Sequence, residues 1–331
     1  ILLHTHFDDD KRLKEILNQL KSRLEMGFMS NGHSTAVNRA MSYFSQGSWY
    51  KELVEGIAFY QFLCAVLKDY DTRKTEIIHN LQTIGQKIFR KSYLLADMTV
   101  DHEGMQICTK PLVSFAGKLY TAPMSAVDCT VKTIGTCPRH NEAFITSGMV
   151  QYNACAGNFG ESGMAYSGSM NVLKNVLGNE YLWNNVRVKG GAYGCMCGFA
   201  PSGNGYFTSY RDPNLAKTYD IYANAADYVR SLALDDRELT KYIIGAVGAI
   251  DLPMTASMKG NRSLAAFLGE RSFEQIQKNR DELLATTVDD LRGLSKAVAA
   301  VIEAGHICVV GSESKITEEK DRFEYVAQLT Q

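Results

Sequence analysis

The chain has 331 residues, 45% of them hydrophobic and 21% charged, ample for a sizeable core in one large domain or two. Lys and Arg number 35 against 36 Asp and Glu, a formal charge of -1 that gives nucleic acid or an anionic membrane surface nothing to hold. Every apolar run is cut by charge short of the roughly 18–20 residues that span a bilayer, so no membrane segment is expected. The opening Ile1-Leu2-Leu3-His4 carries neither an initiator Met nor a basic leader, so it reads as the start of a fragment without a secretory signal. The eight cysteines (Cys64, Cys108, Cys129, Cys137, Cys155, Cys195, Cys197 and Cys308) include no CxxC and no paired Cys/His clusters, which argues against zinc ribbons and fingers. Cys195 and Cys197, two apart in an apolar stretch, would share one strand face in a buried structural role. Such usage fits a reducing compartment, with the cytoplasm expected and an organelle matrix the alternative.

The first hundred residues predict helix after helix. Asp8 to Asp10 offer caps ahead of Leu13, Ile16, Leu17, Leu20 and Leu24, which recur at three- and four-residue steps. Ser34 is placed to cap a second helix carrying Val37, Ala40, Met41 and Phe44, with Gly47 as its stop. Ser48 opens a third through Leu53, Ile57 and Phe62-Leu63-Cys64, and Thr72 a fourth with Ile77, Ile78, Leu81, Ile84 and Ile88. Tyr93 to Val100 then reads as one strand whose partner must lie elsewhere. Near residue 105 the texture changes, and the expected domains are 1-104 and 105-331.

Beyond that boundary Ile145 to Tyr152 predicts a strand, and Ser167 to Val186 a helix with Met170, Val172, Leu173, Val176, Leu177, Tyr181 and Leu182 as its apolar members. After Gly190-Gly191-Ala192-Tyr193-Gly194 an apolar strand runs through Phe199. The turn Pro201 to Gly205 follows, its Asn204-Gly205 a hairpin signal, then a strand Tyr206 to Arg211. Asp212 as N-cap and Pro213 at the first helical position open a helix carrying Leu215, Tyr219, Tyr222, Ala226 and Val229. Asp235 with Glu238 resembles a capping box ahead of Leu239, Ile243, Val247 and Ile250. Helices over about 262–285 and 288–304, the second ended by Gly305, and a last strand His306 to Val310 complete the chain. Strands at both ends with helices between them predict an α+β layer: one sheet, helices covering one face.

Complete catalytic motifs are missing from the sequence. It contains no HExxH, HxxEH, GxSxG, P-loop or Rossmann GxGxxG. His102-Glu103-Gly104-Met105-Gln106 comes near a zinc helix, but Gln stands where the second His would be, and a polar turn is expected there. His4-Thr5-His6-Phe7-Asp8-Asp9 nearly spells the HxHxDH of two-metal hydrolases, with His4, His6 and Asp8 as ligands. Asp9 replaces its last His, and the plainer alternative is an acidic entry to a helix. Arg187-Val188-Lys189-Gly190-Gly191-Ala192-Tyr193-Gly194 is more informative. An Arg ends a helix, two glycines allow a tight turn, and a Tyr begins a strand. Arg187 and Tyr193 could converge on a carbonyl oxygen and stabilise charge developing there; the same residues could equally be a helix cap and a core tyrosine.

The segment from Tyr181 to Gly194, with its R-x-K-G-G-A-Y-G, resembles the substrate-binding motif in the last domain of the pitrilysin/insulinase zinc peptidases, family M16. Ser209-Tyr210-Arg211-Asp212-Pro213-Asn214-Leu215 resembles the strand-to-helix junction of the presequence-protease branch. Gly32-His33-Ser34-Thr35-Ala36 and Trp49 to Ile57 resemble helices of its third domain. The resemblance implies a fragment made of the end of domain three (1-104) and all of domain four (105-331). The parent would be a zinc endopeptidase whose halves close around unstructured peptides, its zinc held upstream by an HxxEH absent here. It implies that Arg187 and Tyr193 are catalytic donors, that Gly190 and Gly191 share in substrate binding, and that this chain holds no metal of its own. The N-terminal half of the same protein and peptide substrates are the implied partners. A non-catalytic scaffold or partner subunit of the same fold is the alternative.

Overall fold

The structure, a computed structural model, describes residues 3, 5, 7–121 and 134–330. Leu13 to Leu24 lie on α1 (Asp10–Ser30), entered where Asp9 Oδ1 accepts the Arg12 N–H at 2.9 Å. The helices α2 (Gly32–Ser42), α3 (Gln46–Glu55), α4 (Ile57–Lys68), α5 (Tyr70–Ile88) and α6 (His102–Ala116) follow. Three starts fall upstream of those expected: Asn31, Ser45 and Asp69 occupy the N-cap positions, and Ser34, Ser48 and Thr72 lie inside the helices. Ser45 Oγ accepts the Ser48 N–H at 3.4 Å, so Ser48 supplies the donor of that cap and not the acceptor. Gly47 stops nothing, since it lies within α3; the extended backbone at Gly56 divides α3 from α4.

The expected strand from Tyr93 to Val100 does not form. Lys91–Tyr93 is a 3₁₀ turn, and residues 94–100 join no ladder among the described residues. Leu95 and Val100 stay exposed there, because an apolar run becomes a strand only when another backbone pairs with it. His102 to Gln106 is the first turn of α6 and not a loop, capped by Asp101 Oδ1 on the Gly104 N–H at 2.7 Å.

The chain forms two compact units, residues 1–21, 62–133 and 253–273 in one and 22–61, 134–252 and 274–331 in the other. Position 104/105 lies within α6, inside the first. In that unit Lys74 Nζ meets Asp10 Oδ2 at 2.6 Å and the Tyr70 hydroxyl donates to Asp10 O at 2.7 Å, fastening α5 to α1.

The second unit holds a six-stranded sheet: β1 (Glu142–Thr146), β2 (Tyr152–Asn158), β3 (Gly194–Phe199), β4 (Asn204–Tyr210), β5 (His306–Ser312) and β6 (Tyr325–Gln328), in the order β3-β4-β2-β5-β1-β6. β5 and β6 flank β1 in parallel; β2 runs antiparallel to β4 and β5, and β3 antiparallel to β4. The single strand expected over Ile145 to Tyr152 is thus the end of β1 and the start of β2. The turn between them is marked by Thr146 Oγ1 accepting the Gly148 N–H at 3.2 Å.

The remaining helices are α7 (Ser169–Val176), which continues as a π-helical segment Leu177–Val188, then α8 (Ala216–Ala223), α9 (Ala225–Arg230) and α10 (Asp236–Ile250). After them come α11 (Ala256–Leu268), α12 (Phe273–Leu284), α13 (Val288–Gly293), α14 (Ser295–Glu303) and α15 (Glu313–Glu318). The two long helices expected over 262–285 and 288–304 are each broken in two, at Gly269 and Leu294. The Asp235–Glu238 capping box forms as expected, with bonds of 2.8 and 3.1 Å. No described helix is long and apolar enough to cross a membrane.

Side chains alternate across the sheet. Ala143, Cys155, Cys197, Phe207 and Val309 face a layer containing α7, the π segment, α8, α9 and α14. Gly157 lets α14 press close, since a Cβ there would stand 2.6 Å from Val301 O. Each fully buried Leu, Val or Phe in this layer contributes about 1.5–3 kcal/mol. The α+β architecture is the expected one, with one addition: α2 covers part of the opposite face. There the Arg39 guanidinium donates to Glu142 through Nε and, at 3.0 Å, through Nη2, and to Glu52 through Nη1 at 3.0 Å. Burial by itself lowers the Arg39 pKa; the Glu142 hydrogen bond and both carboxylates outweigh it and raise the value. Burial pushes the Cys195 thiol up to about 11 and Cys197 to about 12, so both stay protonated and structural at neutral pH.

Candidate functional site

At one end of the sheet β4 finishes, β3 begins, and the turn leaving the π segment joins them. Leu177, Tyr181, Leu182 and Val186 are buried and anchor that segment, and the Tyr181 hydroxyl donates to Ile221 O at 2.6 Å. The opposite face carries Trp183 and Arg187. The Arg187 guanidinium carbon lies 4.2 Å from the Trp183 ring centre and 5.4 Å from that of Tyr193, and Nη1 donates to Tyr193 O at 2.6 Å. It makes no ion pair among the described residues, so most of its five donors remain for a substrate.

The two glycines set this geometry. Gly191 adopts φ +83°, its N–H returns to Arg187 O at 2.8 Å, and the Ala192 N–H reaches Val186 O at 3.1 Å, closing the helix end. A Cβ on Gly190 would stand 2.3 Å from Val186 O. Gly190→Ala is therefore expected to destabilise this unit by about 1–3 kcal/mol, measured by urea unfolding. A wild-type midpoint would show that the turn yields without cost.

Asp212 does not cap a helix, contrary to expectation; α8 begins at Ala216. Its fully buried carboxylate accepts Asn214 N at 2.9 Å, Thr218 Oγ1 at 2.6 Å and Asn153 Nδ2 at 3.2 Å. Asn214 Nδ2 then donates to Gly190 O at 2.6 Å, so the acidic knot holds the glycine turn against the end of β4. Gly190 and Gly191 thus act through backbone placement.

Tyr193 is 64% exposed, and its ring meets Tyr210 edge-on at 5.8 Å. Tyr210 in turn contacts His33 at 5.0 Å, and the Arg211 guanidinium lies 5.4 Å from the Tyr210 ring centre. The structure brings Arg187, Gly190, Gly191 and Tyr193 together. It adds Trp183, His33, Tyr210, Arg211 and Asn214, which stood in the quoted motifs without a role. The signal was Tyr-Arg-Asp directly after an apolar strand, polar residues held where a strand ends. His4 and His6 lie outside the described residues, and Asp9 is the cap of α1. Among the described residues no three His, Cys, Asp or Glu side chains gather as metal ligands.

The sheet, its helical layer and this rim belong to the M16 peptidase fold. The crystal structure of pitrilysin superposes with a TM-score of 0.55 at 10% identity, over 93% of this chain and 32% of that one, a likeness of fold alone. Residues 141–314 match the PreP C-terminal domain, and residues 1–66 match the family associated with M16 peptidases of subfamily C. The chain belongs to the presequence-protease branch of M16. It is 32% identical over 329 residues to protein HypA of Clostridium perfringens, covering 99% of this chain and 33% of that protein. It is also 32% identical over 317 residues to presequence protease 1, chloroplastic/mitochondrial, of Arabidopsis thaliana, covering 96% and 29%. The chain spans about a third of the length of these relatives.

Proposed function

We propose that this chain is the substrate-holding, C-terminal part of a zinc-dependent endopeptidase that degrades unstructured peptides in a closed chamber. The observation that carries the proposal is the pairing of Arg187 with Tyr193: an unpaired guanidinium, fixed by Trp183 and Tyr193 O, beside an exposed phenol. Together they present donors to a substrate carbonyl, where negative charge develops during hydrolysis. The names of the presequence-protease relatives support a peptidase parent. In this account residues 1-104 end the third domain and 105-331 make the fourth, and family matches on either side of that boundary support the division.

Zinc has no fitting ligand set among the described residues, so the proposal assigns it to the N-terminal half of the parent. What this chain supplies is orientation, hydrogen-bond donors and one wall of a site completed by closure. The compartment is the cytoplasm or an organelle matrix, the latter in line with the chloroplastic/mitochondrial relative.

The test compares the full-length parent with this chain alone, by elemental analysis and peptide hydrolysis. The parent is expected to hold zinc and cleave, and the chain alone to do neither. One zinc per isolated chain, or a parent inert toward every unstructured peptide, would overturn the proposal.

A further inference from the structure

A second cation stands on the same rim. Arg211 follows the last residue of β4 and lines a cavity of about 640 Å³ with Glu25, Met26, Met29, Ser147 and Thr330. The cavity lies where β1, β4 and β6 come to an end, outside the carboxyl ends of strands that run the same way. The two methionines offer apolar surface, and Ser147 and Thr330 offer hydroxyls. Glu25, the carboxylate on the wall, accepts the Tyr60 hydroxyl at 2.7 Å.

Arg211 is exposed and forms no ion pair among the described residues; the groups around it are the phenols of Tyr152, Tyr210 and Tyr193. Its backbone is left-handed at φ +48°, a conformation that a long side chain rarely adopts and that tends to persist at working sites. The conformation is locked from both sides. Arg211 O accepts the Tyr193 N–H at 3.3 Å, and Asp212 exchanges bonds of 2.7 and 2.9 Å with Gln151. Arg211 and Tyr193 are therefore fixed to each other through the backbone.

We propose that Arg211 and this cavity form a second substrate subsite, which takes a carboxylate of the bound peptide. The subsite rests on the peptidase function proposed above, with Arg187 at the reacting carbonyl and Arg211 holding the peptide further along. Two sources offer the same chemistry, the C-terminal α-carboxylate and an acidic side chain.

The experiment uses the full-length protein, wild type and Arg211→Asn, the asparagine being tolerant of positive φ. Four versions of one unstructured peptide serve as substrates: with a free C-terminus and one internal Glu, amidated, with Glu replaced by Gln, and with both changes. A charge-assisted bond of this kind corresponds to about ten- to a hundredfold in KM. Wild type is expected to show that ratio between the fully charged and doubly neutral peptides, and Arg211→Asn to bring it to about one. Whichever singly neutral peptide loses the preference identifies the carboxylate. An equal shift for all four peptides, or an unchanged ratio in Arg211→Asn, overturns the subsite. Failure of the peptidase function itself reads differently, as no cleavage of any version by wild type.

Discussion

Arg187→Ala in the full-length protein is expected to lower kcat/KM for an unstructured peptide by about 10²–10³, the loss seen when one donor to a developing oxyanion is removed. The loss should fall mainly on kcat, because the donors matter most once the carbonyl oxygen has gained charge. Arg187→Lys keeps the charge but gives up the planar fork that stacks on Trp183 and bonds Tyr193 O, so it should recover only part of the rate. Tyr193→Phe preserves the edge-on contact with Tyr210 and removes only the hydroxyl, which isolates the phenol's share. Zinc content should match wild type in all three variants. Wild-type turnover in both Arg187→Ala and Tyr193→Phe would remove these residues from the chemistry.

Arg39→Met is expected to destabilise the unit containing the sheet by about 3–5 kcal/mol, the cost of leaving buried carboxylates without their cation. Arg39 is 4% exposed at its side chain, and Glu52 and Glu142 are 0% exposed. Asn38 Nδ2 remains on Glu52 at 2.8 Å, but Glu142 loses both of its guanidinium bonds. Trp49 sits 5.9 Å from the guanidinium, so its fluorescence follows this region directly in urea unfolding. Replacing Arg39, Glu52 and Glu142 together by apolar residues of similar volume should recover much of the loss, because no charge then remains buried. A change below about 1 kcal/mol in Arg39→Met would mean that water reaches the carboxylates.

What could be read from the residues was local. The capping box at Asp235 and Glu238 formed as expected, because both partners lie within one turn and need nothing from the rest of the chain. The hairpin around Asn204-Gly205 was legible for the same reason, and so was the closeness of Arg187 and Tyr193 across two glycines. What depended on distant partners was not legible. Leu94, Leu95 and Val100 look like strand residues, but no ladder forms on them. β6, which pairs with β1, carries too short an apolar pattern to announce itself. Asp212 has every local mark of an N-cap, yet its carboxylate is taken by Asn153 from across the sheet. Arg211 stayed without a role because its meaning depends on Tyr193, Tyr152 and a cavity assembled from three separate stretches of chain.

The interleaving of the two units has a practical side. The backbone passes between them at 21/22, 61/62, 133/134, 252/253 and 273/274. No single scission can therefore release either half of the fold intact. A truncation beginning at residue 134 would keep all six strands but strip away Arg39, leaving Glu142 to face solvent or a void. Anyone trimming this polypeptide for crystallography or for a minimal peptide-binding reagent should graft residues 22–61 back, as a covalent insert or a co-expressed strip.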